Sequence, residues 1–160
     1  HYDRPFKEAF IRPGLGPGGW GNRSNYVVYN VVPNSKEEMS LYMYGGAHYT
    51  LRTDGFVSVR AGFEEGEFLT KPLVFGGDRL EINYSTSAAG MIRIELQNPD
   101  GSAIDGFGLE DCARIWGDEI ERFVKWNKST DLSSLTGKPI RLRFVMNEAD
   151  LYSIRFPKSE

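Results

Sequence analysis

Arg79-Leu80-Glu81-Ile82-Asn83-Tyr84-Ser85-Thr86-Ser87-Ala88-Ala89-Gly90-Met91-Ile92-Arg93-Ile94-Glu95-Leu96-Gln97 is the stretch that decides the fold. Leu80, Ile82 and Tyr84 alternate with Glu81 and Asn83, and Ile92, Ile94 and Leu96 alternate with Arg93 and Glu95. Successive side chains of a strand point to opposite faces, so each run predicts a half-buried strand with an apolar inner side and a polar outer side. The two read as separate strands: Arg79 to Ser85 behind the turn Gly76-Gly77-Asp78, and Met91 to Gln97 ahead of Asn98-Pro99-Asp100-Gly101.

The same texture extends in both directions. Phe56 to Ala61, Gly117 to Trp126, Pro139 to Met146 and Leu151 to Phe156 all alternate, and Ile140, Leu142, Phe144 and Met146 form a third apolar face. Tyr26 to Val32 and Glu38 to Tyr44 read as strands around Pro33-Asn34-Ser35. Helical signal is confined to a turn or two at Asp131 to Leu135 and Leu109 to Arg114. Many short strands without interleaved helices predict an all-β chain, an antiparallel β-sandwich of jelly-roll type, and not a βαβ architecture. Residues 1–47 read as a loop-rich segment, since Arg12 to Ser24 carries five glycines and two prolines; residues 48–160 read as the sandwich.

Composition narrows the function. Nineteen Lys plus Arg against 22 Asp plus Glu, a net charge of −3 in 160 residues, supplies no basic footprint for nucleic acid. No apolar run approaches the roughly 18 residues of a membrane span, so neither membrane nor nucleic acid is an expected partner. The chain opens at His1 rather than methionine, which points to a piece of something longer. Gly14, Gly16 and Gly19 match a dinucleotide fingerprint in spacing, but Pro17 and Trp20 leave no strand before it and no helix after it. His1, His48 and the single Cys112 make no zinc cluster and no nucleophile–base spacing. The loop from Asp105 to Asp118 has carboxylates that could hold calcium, without the EF-hand spacing. No cofactor is expected otherwise. Asn22, Asn83 and Asn127 begin formal glycosylation sequons.

Two constellations carry chemistry. Alternation places Glu119 and Glu121 on one face, roughly 7 Å apart, within the span at which two carboxylates divide the work of glycoside hydrolysis. This resembles the paired-carboxylate strand of jelly-roll glucanases such as laminarinases and lichenases, with Gly117 where their outermost glutamate stands. The other reading is a cross-strand charge ladder on the outer faces, with Glu81 and Asn83, Arg93 and Glu95, Glu119 and Glu121, Arg141 and Arg143. The same planar groups suit bidentate bonds to vicinal sugar hydroxyls. Trp116, flanked by Arg114, Gly117 and Asp118 in a loop, is less easily explained as core than Trp126, and Trp20 is either an anchor or a platform. The candidate ligand-binding set is therefore Trp116, Asp118, Glu121, Arg93, Glu95, Arg141, Arg143 and Trp20.

Thr53-Asp54-Gly55-Phe56-Val57-Ser58-Val59, Leu69-Thr70-Lys71-Pro72-Leu73, Ser85 to Gly90, Leu109-Glu110-Asp111-Cys112, Gly117 to Glu121, Gly137 to Phe144 and Ala149 to Tyr152 resemble a further pattern. It is the C-terminal sandwich appended to bacterial five-bladed β-propeller glycoside hydrolases similar to inulinases, levanases and arabinanases. Arg4 to Gly14, Trp20 and Met39 to Tyr42 resemble the closing strands of such a propeller. The resemblance implies a secreted or periplasmic parent whose catalytic acids lie in earlier blades. It implies a non-catalytic accessory module that binds a polysaccharide or oligosaccharide or braces the parent catalytic propeller domain. A small jelly-roll glycosidase using Glu119 and Glu121 is the alternative.

Overall fold

The computed structural model describes residues 7–16 and 25–159. Trp20, Gly19, His1 and Asn22 lie outside the described residues. Gly14 and Gly16 sit in irregular chain, with no strand among the described residues before them. The fold is all-β and antiparallel throughout, and the chain divides into two units at Thr53/Asp54.

The first unit is a meander of β1 (Val27–Pro33), β2 (Glu38–Met43) and β3 (His48–Arg52), paired in that order. His48–Arg52 belongs to this sheet, because Glu38 to Tyr42 pairs residue by residue with Arg52 to His48. The β2–β3 connection turns through Gly45 and Gly46, at φ 96° and 92°, backbone that a side chain would strain. Leu41 and Met43 are buried while Tyr42 and Tyr44 are exposed, the division that strand alternation requires.

The second unit is built on β6 (Glu81–Gln97, 17 residues) and β8 (Arg141–Arg155, 15 residues), hydrogen-bonded together along almost their whole lengths. On the far side of β8 lie β4 (Val59–Ala61) and β5 (Gly66–Leu69); on the far side of β6 lies β7 (Asp118–Phe123). The runs that read as separate strands, 79–85 with 91–97 and 139–146 with 151–156, are thus halves of two long strands. Pairing jumps from Thr86↔Ala149 to Met91↔Asn147, so Ser87 to Gly90 face Glu148 alone, and Glu148 takes φ 42°. The ladder buckles there and resumes. Gly90 permits it: a Cβ at that position would stand 2.4 Å from the Glu148 carbonyl oxygen and 2.9 Å from that of Asn147.

All three apolar faces line one core. Leu80, Ile82, Tyr84, Ile92, Ile94 and Leu96 of the β6 segment meet Ile140, Leu142, Phe144 and Met146, and Phe68 of β5 stacks on Phe144 at 4.6 Å. A second layer of bridged loops closes over them, carrying Phe75, Cys112, Ile115, Val124, Trp126, Leu132 and Leu135, which gives the sandwich-like arrangement. Trp126 is its keystone: its indole N–H donates to the Ile94 carbonyl at 2.8 Å, so the ring is buried without an orphaned donor. Each such large side chain contributes roughly 1.5–3 kcal/mol by leaving water. The turn anticipated at Asp131 to Leu135 is a 3₁₀ turn, Ser133–Leu135, entered through a Ser133 N–H bond to the Asp131 carboxylate. Among the described residues no helix is long and apolar enough to cross a membrane.

Candidate functional site

Ile92 and Ile115 exchange backbone hydrogen bonds in an isolated antiparallel bridge, and both side chains are buried in the core. Met91 and Arg93 flank the bridge on one segment, and Arg114 and Trp116 flank it on the other. On its other edge Met91 pairs with Asn147, Arg93 with Val145 and Glu95 with Arg143. Successive rows of the outer face read Met91–Asn147, then Arg93–Val145, then Glu95–Arg143, then Gln97–Arg141, with Trp116 and Arg114 beside the first two.

Trp116 is 69% exposed, although its own backbone is held tightly. Its carbonyl accepts a 2.8 Å hydrogen bond from the Tyr84 hydroxyl. Gly117, at φ 109°, donates to Thr86 Oγ1 and accepts from the Thr86 N–H. The indole forms one wall of an open recess of about 500 Å³, completed by Ala88 to Met91, Arg114 and Asn147. The buckle in β6 thus makes the opposite wall.

Glu95, Arg141 and Arg143 continue down the same face. Arg143 bonds Glu67 at 2.6 Å and lies 3.7 Å from Glu95, which also accepts from Gln97 Nε2 at 2.7 Å. Of the charge ladder read from the sequence, Glu95 and Arg143 form one rung on this face, while Arg141 lies across from Gln97. Glu95 and Gln97 are nevertheless buried.

Asp118, Glu119 and Glu121 lie on β7. Strict alternation would put the two glutamates on one face, but residues 119–122 of β7 span only 82–84 of β6, and this bulge breaks the alternation. Glu119 accepts from Tyr84 at 3.2 Å and from Arg122 at 3.0 Å. Glu121 pairs with Arg155 at 2.8 Å, and Arg155 also bonds the buried Glu81. The carboxylates are held by different cations. Burial, reinforced by the Glu119 charge, pushes the Tyr84 hydroxyl up to about 12, so at neutral pH it is a donor.

A second recess, of about 340 Å³, lies beside the buckle on the β4 side. Arg60, Ser85 to Ser87, Glu148 and Asp150 line it, with Phe63 at its margin. Ser87 donates to Glu148 at 2.8 Å and Ser58 to Asp150 at 2.7 Å. Among the described residues no group of three or more His, Cys, Asp or Glu side chains is arranged to hold a metal. In the acidic loop, the Asp111 carboxylate accepts from the Gly108 N–H and from Asn127 Nδ2.

Asn147 and the Ala88 to Gly90 wall escaped the sequence reading. They reach Trp116 through cross-strand register, which leaves no trace in local periodicity. No family model, curated protein or solved structure matches the chain.

Proposed function

We propose that this chain is a non-catalytic accessory module of a polysaccharide-degrading glycoside hydrolase, working outside the cytoplasm as part of a secreted or periplasmic parent. It holds a polysaccharide or oligosaccharide through Trp116. One observation carries the reading: an indole left 69% exposed on a backbone anchored by Tyr84 and Thr86, walling an open recess with Arg114 and Asn147. An exposed indole walling an open recess offers the C–H face of a pyranose a ring to stack on. Arg114 and Asn147 supply donors for the hydroxyls at its rim.

Glu119 and Glu121, engaged in separate ion pairs, do not support the small-glycosidase reading. Calorimetry or affinity gels with fructans, arabinans and xylans test the proposal: retention that disappears in Trp116→Ala supports it. Reducing-sugar release abolished by Glu119→Gln or Glu121→Gln would replace it with the enzyme.

The bracing role draws support from a different observation. The three-stranded meander leaves Val27, Val28, Val32, Tyr42 and Tyr49 exposed, more apolar surface than so small a sheet needs. The partner it suits is the parent catalytic propeller. Mixing this chain with that domain would raise the unfolding temperature of both if it braces, and leave them unchanged if it does not.

A further inference from the structure

Building on the sugar-binding reading, we infer that the Trp116 recess selects an acidic glycan, with Arg114 and Arg93 receiving a carboxylate or sulfate on the sugar that stacks against the indole.

Arg93 and Arg114 each stand next to the isolated Ile92–Ile115 bridge, one on either segment, and Arg114 lines the recess. Two cations gathered at one bridge favour an acid between them. Among the described residues neither arginine has an ion-pair partner. The carboxylates nearest in register are already engaged. Glu95 is held by Arg143 and Gln97, and Glu67 is bonded to Arg143. Moreover, Arg93 Nε is cut off from water and bonded to nothing. An orphaned guanidinium nitrogen is costly for the free protein, and an anion that reaches both arginines would supply the missing acceptor.

Position supplies the sugar. Trp116 and Arg114 flank Ile115, and both line the recess. A pyranose lying on the indole can therefore turn an acidic substituent toward Arg114, while Asn147 meets its hydroxyls from across the recess. A neutral glycan would fill the recess and leave the arginine pair as it is. Uronate carboxylate and sulfate ester share this chemistry, and the experiment separates them.

The test is calorimetric titration of the whole chain with polygalacturonate and alginate, with a sulfated galactan, and with inulin, arabinan and xylan as neutral glycans. Binding to an acidic glycan that falls at least about tenfold in Arg114→Ala and in Arg93→Gln, and is lost in Trp116→Ala, is the expected result; the loss of a charge-assisted bond is of that size. The acidic class retained names the source. Arg114 is exposed, so Arg114→Glu reports on the pair even if Arg93→Gln misfolds, and a thermal melt verifies each variant. Neutral glycans bound as tightly as acidic ones, dependent on Trp116 and indifferent to Arg114→Ala, would overturn this inference and leave the sugar-binding reading standing. Acidic glycans bound equally by all variants, or no glycan bound, would overturn both.

Discussion

The Tyr84 hydroxyl, inside a fully buried ring, donates to the Trp116 carbonyl at 2.8 Å and so ties the most exposed tryptophan of the described residues to the core. The same hydroxyl lies 3.2 Å from Glu119, so one oxygen fixes both the binding loop and the first carboxylate of β7. Tyr84→Phe leaves the ring in place and removes the donor. We expect a loss of about 1–2 kcal/mol in urea unfolding and weaker glycan binding with Trp116 itself intact. Unchanged affinity in Tyr84→Phe would show that the loop holds its shape without this bond.

Alkaline pH probes the same burial. The Tyr84 hydroxyl is pushed from 10.0 up to about 12, by burial first and the Glu119 charge second; the Cys112 thiol is pushed from 9.0 up to about 11, chiefly by burial. In both cases the fold favours the protonated form, so the stability is whole below the unfolded value and drains as pH rises through the folded one. The windows are therefore 9.0 to 11 for Cys112 and 10.0 to 12 for Tyr84. Thermal melts across pH 8–12 should fall less steeply in Cys112→Ala and in Tyr84→Phe, each within its own window. Parallel curves for all three proteins would refute the assignment. Native Cys112 should also resist thiol reagents at pH 8 until the protein unfolds.

Gly90 is a packing requirement. Gly90→Ala drives a methyl group against the carbonyls of Glu148 and Asn147 and should cost about 1–3 kcal/mol. Gly76→Ala, where nothing lies within 4 Å of the added carbon, serves as the comparison and should be neutral or slightly stabilising. Chemical denaturation measures both. Because Gly90 also lines the recess, its variant should bind glycans more weakly than its stability predicts.

Arg155 bridges Glu81, which is buried, and Glu121, which is not. Arg155→Ala strands the Glu81 carboxylate inside the sheet and should cost about 1–3 kcal/mol. Glu121→Gln should cost under about 1 kcal/mol, as exposed pairs do. Adding Glu81→Gln to Arg155→Ala should recover part of the loss, since a neutral amide is cheaper to bury. A double-mutant cycle with no coupling would mean that the three residues do not act as a unit.

Local alternation was enough to assign the inner faces of Leu80 to Tyr84, Ile92 to Leu96 and Ile140 to Met146, and with them the all-β antiparallel class, because the period of a strand is a property of the chain itself. Trp116 stood out for a similar reason, as a large apolar ring among residues that favour loops. Three matters depended on pairing between distant segments. Runs separated by Ser87 to Gly90 and by Asn147 to Asp150 proved to be continuous, because Gly90 lets two strands buckle past each other without turning back. Glu119 and Glu121 parted company because a bulge against Ile82 to Tyr84 overrode their parity. Arg93 and Arg114 came to flank one bridge, and Met91 to pair with Asn147, through register alone. A side chain's face is written in its neighbours along the chain, but what lies across from it is decided only when another strand docks, by hydrogen bonds and packing that no local stretch contains.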